Sequence, residues 1–138
     1  MFKIKVISQG KSKEAWLNEA LAEYEKRLLR KMEIEWIFLD NPKDLEKRAL
    51  KEPFLIALDL QGKQFSSKEF SLALFSNWGT RPSFVIGGPE GLTPNILHHA
   101  KHLFCLSSLT FTHQMVRLIL IEQLYRALEI EQGTSYHK

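Results

Sequence analysis

The chain has 138 residues, 44% hydrophobic and 25% charged, ordinary globular values that suit one domain with a real core. No run approaches the roughly 18 consecutive apolar residues of a membrane-spanning helix, the opening Met1-Phe2-Lys3-Ile4-Lys5-Val6-Ile7 alternates like a strand rather than a secretory signal, and the single cysteine, Cys105, excludes an internal disulfide. These features place the protein in the cytoplasm; the net charge of +3 suits an anionic partner such as RNA, and equally a scatter of solvated lysines around amphipathic elements.

Residues 2–8 read as a first strand, broken at Gly10, with Ser12 placed to cap the helix that follows. Over 13–31, Leu17, Ala20, Leu21, Tyr24 and Leu28 share one helical face, and Lys26, Arg27 and Arg30 gather near the C-terminal end, where cations are favoured. Ile34, Trp36 and Phe38 alternate through a second strand over 33–39, and Asn41-Pro42 opens a short charged helix to about Leu50. Pro53 ends that helix. Residues 54–58 form a continuous apolar run suited to a strand buried on both faces, and they run out into Leu58-Asp59-Leu60-Gln61-Gly62-Lys63. Ser66 and Ser67 are N-cap candidates for a helix to about Trp78. Residues 84–86 form a short strand that breaks into Gly87-Gly88-Pro89-Glu90-Gly91-Leu92; a helix from Thr93-Pro94 to about Lys101, a strand over 103–106 and a long helix over 114–131, closed by Gly133, complete the chain. This alternation predicts a single α/β domain over 1–138, a mainly parallel sheet with helices on both faces.

The long helix is apolar on too wide a face for one side in water, between Met115 and Leu128. A dimer interface explains this, and so does a helix central to a single core. Gly87-Gly88-x-x-Gly91 is neither the dinucleotide fingerprint nor a Walker loop, and alone it reads equally as a turn. Two further strand ends, near 58–62 and 106–110, make a pocket of backbone amides and carbonyls at the carboxyl ends of the strands, suited to an adenine ring. His98, His99 and His102 lack the glutamate or cysteines of a zinc motif, so no metal is expected. His113 is either a local helix-start residue or one that holds a ligand loop.

These segments resemble the RlmH type of SPOUT methyltransferase: 84–92, Leu58-Asp59-Leu60-Gln61-Gly62-Lys63 with Ser66-Ser67, 106–113, Arg117 through Tyr125-Arg126-Ala127, and the ending Tyr136-His137-Lys138. The likeness covers essentially the whole chain. It implies an S-adenosylmethionine-dependent enzyme, releasing S-adenosylhomocysteine, that methylates N3 of a pseudouridine in large-subunit (23S) ribosomal RNA within a ribosomal particle. It also implies a homodimer and a C-terminal trefoil knot over about 84–138. Its cofactor contacts fall on Leu58, Gly87, Leu106, Ser107, Ser108, Leu109, Thr110 and Phe111, and its functional tail on Tyr136, His137 and Lys138. Thr112 departs from the proline that many members carry before the histidine, and a looser cofactor loop is expected from it.

N3 of a uracil-like ring carries a proton that must leave, and the resulting anion needs nearby positive charge. His137 is the candidate base, Lys138 and Arg126 the candidate stabilisers, and Tyr136 the residue to stack on or position the target. Lys13, Arg27, Arg30 and Lys31 are candidates for RNA contact. Two rival readings are a non-enzymatic RNA- or ribosome-binding module and a SPOUT methyltransferase acting on transfer RNA. The intact 87–91 and 106–113 segments count against the first. The Tyr-His-Lys ending and the lack of an appended domain count against the second, through the resemblance alone.

Overall fold

A computed structural model describes residues 2–11, 13–79 and 81–138; the Ser12 cap falls outside the described residues. Strands β1 (Phe2–Gln9), β2 (Met32–Leu39), β3 (Leu55–Gln64), β4 (Ser83–Ile86) and β5 (His102–Cys105) alternate with helices α1 (Ala15–Leu28), α2 (Pro42–Ala49), α3 (Ser67–Leu72), α4 (Pro94–His99) and α5 (His113–Glu131). Every strand pairing is parallel, in the order β2-β1-β4-β3-β5, as the α/β reading requires. Successive strand residues point to opposite faces. Ile4, Val6, Ile56, Phe84, Ile86 and Phe104 therefore pack under α1, α3 and α5, while Ile7, Leu55, Ala57 and Val85 pack under α2 and α4. Burial on both faces accounts for the unbroken apolar runs of β3 and β4.

Local chemistry sets most boundaries. Asn41 accepts a hydrogen bond from the Asp44 N–H at 2.9 Å to start α2, and Ser66 with Glu69 forms a capping box at α3. Three boundaries differ from the sequence reading. Helix α1 stops at Leu28, short of residue 31, and Arg30 turns the chain with a left-handed φ of 70°. The helix expected through Trp78 changes at Leu72 into a π-helical turn, Ala73–Asn77, where the Trp78 N–H donates to the Ala73 carbonyl at 2.8 Å. That turn seats Trp78 in an aromatic cluster with Phe65, Phe70, Phe84 and Phe104.

Strand β3 does not end at Leu58. It leaves the ladder there and rejoins it at Lys63, and both residues pair with Phe104 of β5. Residues 59–62 are thus a loop thrown out of one strand. Gly62 closes it: a Cβ at that position would lie 2.5 Å from the Leu103 carbonyl carbon and 2.6 Å from the Phe104 nitrogen.

Candidate active site

The loop thrown out of β3, the carboxyl ends of β4 and β5 and the first turn of α5 enclose a crevice of about 620 Å³. Its walls come from four stretches: Leu58 to Gln61 at the loop thrown out of β3, Ile86 to Pro89 with Gly91 and Leu92 at the end of β4, residues between Phe104 and Thr112 at the end of β5, and His113 with Val116 on α5. Seven of the eight residues assigned to the cofactor line it: Leu58, Gly87, Leu106, Ser107, Leu109, Thr110 and Phe111. Ser108 is the exception and does not form part of the wall. Leu60 and Leu109 stand exposed at 61% and 68%, so two large apolar side chains flank the opening.

The glycine turn is tight for internal reasons as well as for ligand access. The Gly91 N–H donates to the Gly88 carbonyl at 3.0 Å around Pro89-Glu90, and Gly91 takes φ +78°. A Cβ on Gly87 would come within 2.8 Å of the Gly91 backbone, and one on Gly88 within 2.7 Å of the Gln9 side chain. Gln9 matters here: its Oε1 accepts the Gly88 N–H at 3.2 Å and ties β1 to the turn. Sequence reasoning had no signal for Gln9, because the adjacency of β1 and β4 is a property of the strand order.

The loop after β5 is held by short-range bonds. The Cys105 thiol donates to the Ser107 carbonyl at 3.1 Å, and the Ser107 hydroxyl accepts the Leu109 N–H at 3.0 Å. Thr112 ends this loop as the cap of α5, its hydroxyl accepting the Met115 N–H at 3.3 Å. His113 follows the cap and faces the crevice, with its pKa pushed below the usual range by burial and by the neighbouring Arg117. Arg117 is fully buried. Its Nε donates to the Ser8 hydroxyl at 2.8 Å, its Nη2 to the Gln9 and Gly10 carbonyls at 2.7 Å each, and its guanidinium lies over the Phe38 ring at 4.8 Å. Its Nη1 has no hydrogen-bond partner among the described residues.

The tail folds back on the far end of α5. The Tyr136 hydroxyl donates to Glu122 at 2.9 Å, its ring packs on Tyr125 at 4.8 Å, and the Arg126 guanidinium lies over it at 4.8 Å. Arg126 also pairs with Glu122 at 2.9 Å and donates to Nδ1 of His137 at 3.1 Å, which leaves the proton of a neutral His137 ring on Nε2. Burial, then the Glu122 carboxylate, pushes the Tyr136 phenol up to about 12. The structure therefore gathers Tyr136, His137 and Arg126, leaves Lys138 exposed, and sets all four apart from the crevice wall of the same chain. Among the RNA-contact candidates Lys13 and Arg30 are exposed, Arg27 pairs with Glu23 at 2.9 Å, and Lys31 donates to Gln132 at 2.9 Å. Of the three histidines, His98 is exposed, His99 donates to the Glu52 carbonyl at 2.8 Å, and the His102 ring lies tilted against Trp78 and Phe54.

This architecture is shared with solved methyltransferases. A probable methylase family protein from Haemophilus influenzae Rd KW20 superposes with a TM-score of 0.59 at 11% identity, over 94% of this chain and 66% of that one. The SpoU methyltransferase AviRb from Streptomyces viridochromogenes, in complex with the cofactor AdoMet, gives 0.52 at 11% identity, over 94% and 58%. At such identities the likeness is one of fold, the SpoU-type α/β class. Sequence is more specific. A family model described as "Predicted SPOUT methyltransferase" matches residues 2–137. The "Ribosomal RNA large subunit methyltransferase H" of Protochlamydia amoebophila is 43% identical over 141 residues and the whole of both chains. Its namesake in Clostridium acetobutylicum is 39% identical over 158 residues, 98% of this chain and 99% of the relative. The chain belongs to the SPOUT methyltransferase family.

Proposed function

We propose that this protein transfers the methyl group of S-adenosylmethionine to N3 of a pseudouridine in 23S ribosomal RNA, releasing S-adenosylhomocysteine, and that it works as a homodimer in the cytoplasm. One observation carries the reading: the crevice is walled by the motif segments of a chain whose full-length relatives are named large-subunit ribosomal RNA methyltransferases. The walls fit the cofactor. A volume of about 620 Å³ suits a nucleoside-sized ligand, Leu58, Ile86, Leu106 and Phe111 offer apolar surface to a flat ring, and the backbone at Gly87 and along 106–111 offers polar edges.

When bound, the cofactor supplies a sulfonium methyl open to in-line displacement. The chain's own tasks are then positioning, exclusion of water and handling of one proton. Tyr136 orients the target base, His137 takes the N3 proton at Nδ1 once Arg126 turns from that nitrogen, and Arg126 and Lys138 steady the anionic ring. Tyr136 and His137 pack on Glu122, Tyr125 and Arg126 of α5, and the ten residues from Val116 at the crevice to Arg126 rise roughly 15 Å. Met115, Leu118 and Ile119 remain partly exposed along the same helix. Antiparallel pairing of two α5 helices covers that stripe and carries the tail of a second copy to this crevice. Residues 84–138 are the proposed knotted, cofactor-binding part of the single 1–138 domain.

Truncation after Ser135 tests the assignment. Calorimetric binding of S-adenosylmethionine and a dimeric mass in solution are expected to persist, while tritium-methyl transfer to ribosomes containing pseudouridine is lost. An active truncation removes the tail from the mechanism. A folded wild-type chain that binds no cofactor favours the RNA-binding module instead.

A further inference from the structure

Among the described residues that line the crevice, Asp59 is the sole carboxylate and His113 the sole titratable base. Burial and Arg117 push His113 away from its charged form. Asp59 therefore carries the one full charge on the wall. Its placement is fixed rather than incidental. Residue 59 is the first of the loop thrown out between Leu58 and Lys63, it is half-buried, and its Oδ2 accepts the Gln61 N–H at 2.9 Å. The other carboxylate oxygen makes no hydrogen bond within the protein among the described residues. The amino end of α5, the positive end of its dipole, also lines the crevice through His113 and Val116, and Arg117 of its second turn is buried against Ser8, Gln9 and Gly10.

Resting on the methyltransferase reading, we propose that Asp59 is a charge-selecting residue, which favours the cationic sulfonium cofactor over its neutral thioether product. The two ligands share adenosine and the amino-acid arm and differ by one methyl group and one positive charge. Apolar walls and backbone amides see the shared parts alike, so they hold both equally. A fixed carboxylate distinguishes them. In a part-open site of intermediate dielectric, one such attraction is worth roughly five- to tenfold in affinity. The charge disappears with methyl transfer, so the same residue that retains the cofactor lets the product go. The polarity of the crevice, negative at the β3 loop and positive at α5, also suits a ligand whose cation and carboxylate lie apart.

The test is calorimetric titration of the wild-type, Asp59→Asn and Asp59→Glu proteins with S-adenosylmethionine, S-adenosylhomocysteine and sinefungin, an analogue that bears an ammonium group near the sulfonium position. Asparagine retains an oxygen for the Gln61 N–H, so the loop keeps its bond. Asp59→Asn is expected to bind S-adenosylmethionine and sinefungin roughly five- to tenfold more weakly and S-adenosylhomocysteine within about twofold of wild type, with Asp59→Glu restoring the difference. Equal losses for all three ligands would overturn the proposal, as would no loss for any. A wild-type protein that binds none of them would instead overturn the methyltransferase reading and this inference with it.

Discussion

Gly62→Ala isolates a purely steric requirement. The residue lies outside the left-handed region, so the substitution adds no backbone strain; what it adds is a methyl group aimed at β5. The new carbon would stand 2.5 Å from the Leu103 carbonyl carbon, 2.6 Å from the Phe104 nitrogen and 2.7 Å from the Leu103 oxygen. All three are backbone atoms in the ladder, with no flexible end to swing aside. Relief therefore requires β3 and β5 to part by nearly an ångström where Lys63 and Gln64 pair with Phe104 and Cys105. Overpacking of this kind costs typically 1–3 kcal/mol, and loss of one or two ladder bonds adds about 1 kcal/mol each, so a total near 3 kcal/mol is expected. Urea unfolding followed by circular dichroism measures it. Gly133→Ala is the control: Gly133 has φ +70° with open space around it, and left-handed strain alone predicts about 1 kcal/mol. Because β5 leads directly into Leu106, Gly62→Ala should also weaken cofactor binding, whereas Gly133→Ala should not. The steric account fails if Gly62→Ala matches wild type, or if the control proves the more damaging of the two.

Two further predictions concern charge. Burial alone would raise the Glu52 carboxyl, but the Ser83 hydroxyl, the Arg48 guanidinium and Lys5 together hold it below its ordinary 4.5. A depressed carboxyl stabilises the fold above about pH 4.5 and loses that contribution as pH falls, so Glu52→Gln should flatten the acid limb of a stability-against-pH curve measured by thermal unfolding. The Tyr136 phenol, pushed up to about 12, should be the last tyrosine to ionise in an ultraviolet titration. Glu122→Gln should bring it down towards 10 and release the tail, read as faster proteolysis after residue 132. An unchanged titration would remove Glu122 as its anchor.

The parts of the fold legible in the sequence are those decided by neighbours along the chain. Asn41, Ser66 and Thr93 cap helices through bonds spanning three residues, and Leu17, Leu21 and Leu28 lie on one face because the period of a helix puts them there. Motif residues from Leu58, Gly87 and Leu106 onward could be placed at strand ends, and the crevice is found at those ends. Illegible were features fixed by distant partners. Gln9 meets Gly88 because β4 inserts beside β1, and β3 continues past Leu58 because Phe104 accepts it twice. The π-helical turn is set by the seat of Trp78 among four phenylalanines and not by the sequence Ala73–Asn77. The bond that holds Tyr136 to Glu122, fourteen residues earlier, has no local signature either.

The strand order also dictates when the molecule becomes complete. Strands β1 and β2 come from the first 39 residues, yet the apolar face they share with α1 is closed by Leu120, Ile121 and Leu124 of α5. The central strand, β4, enters between β1 and β3 only after residue 83. A chain emerging from the ribosome amino end first thus exposes Ile4, Val6, Leu17 and Leu21 until its last helix is free, and those residues need shelter during that interval. Pairing of β1 with β4 closes a loop of more than seventy residues, which makes folding slow for so small a protein. Because the start of α5 supplies the last wall of the crevice and the same helix closes the core, the complete site and the burial of the core arrive together.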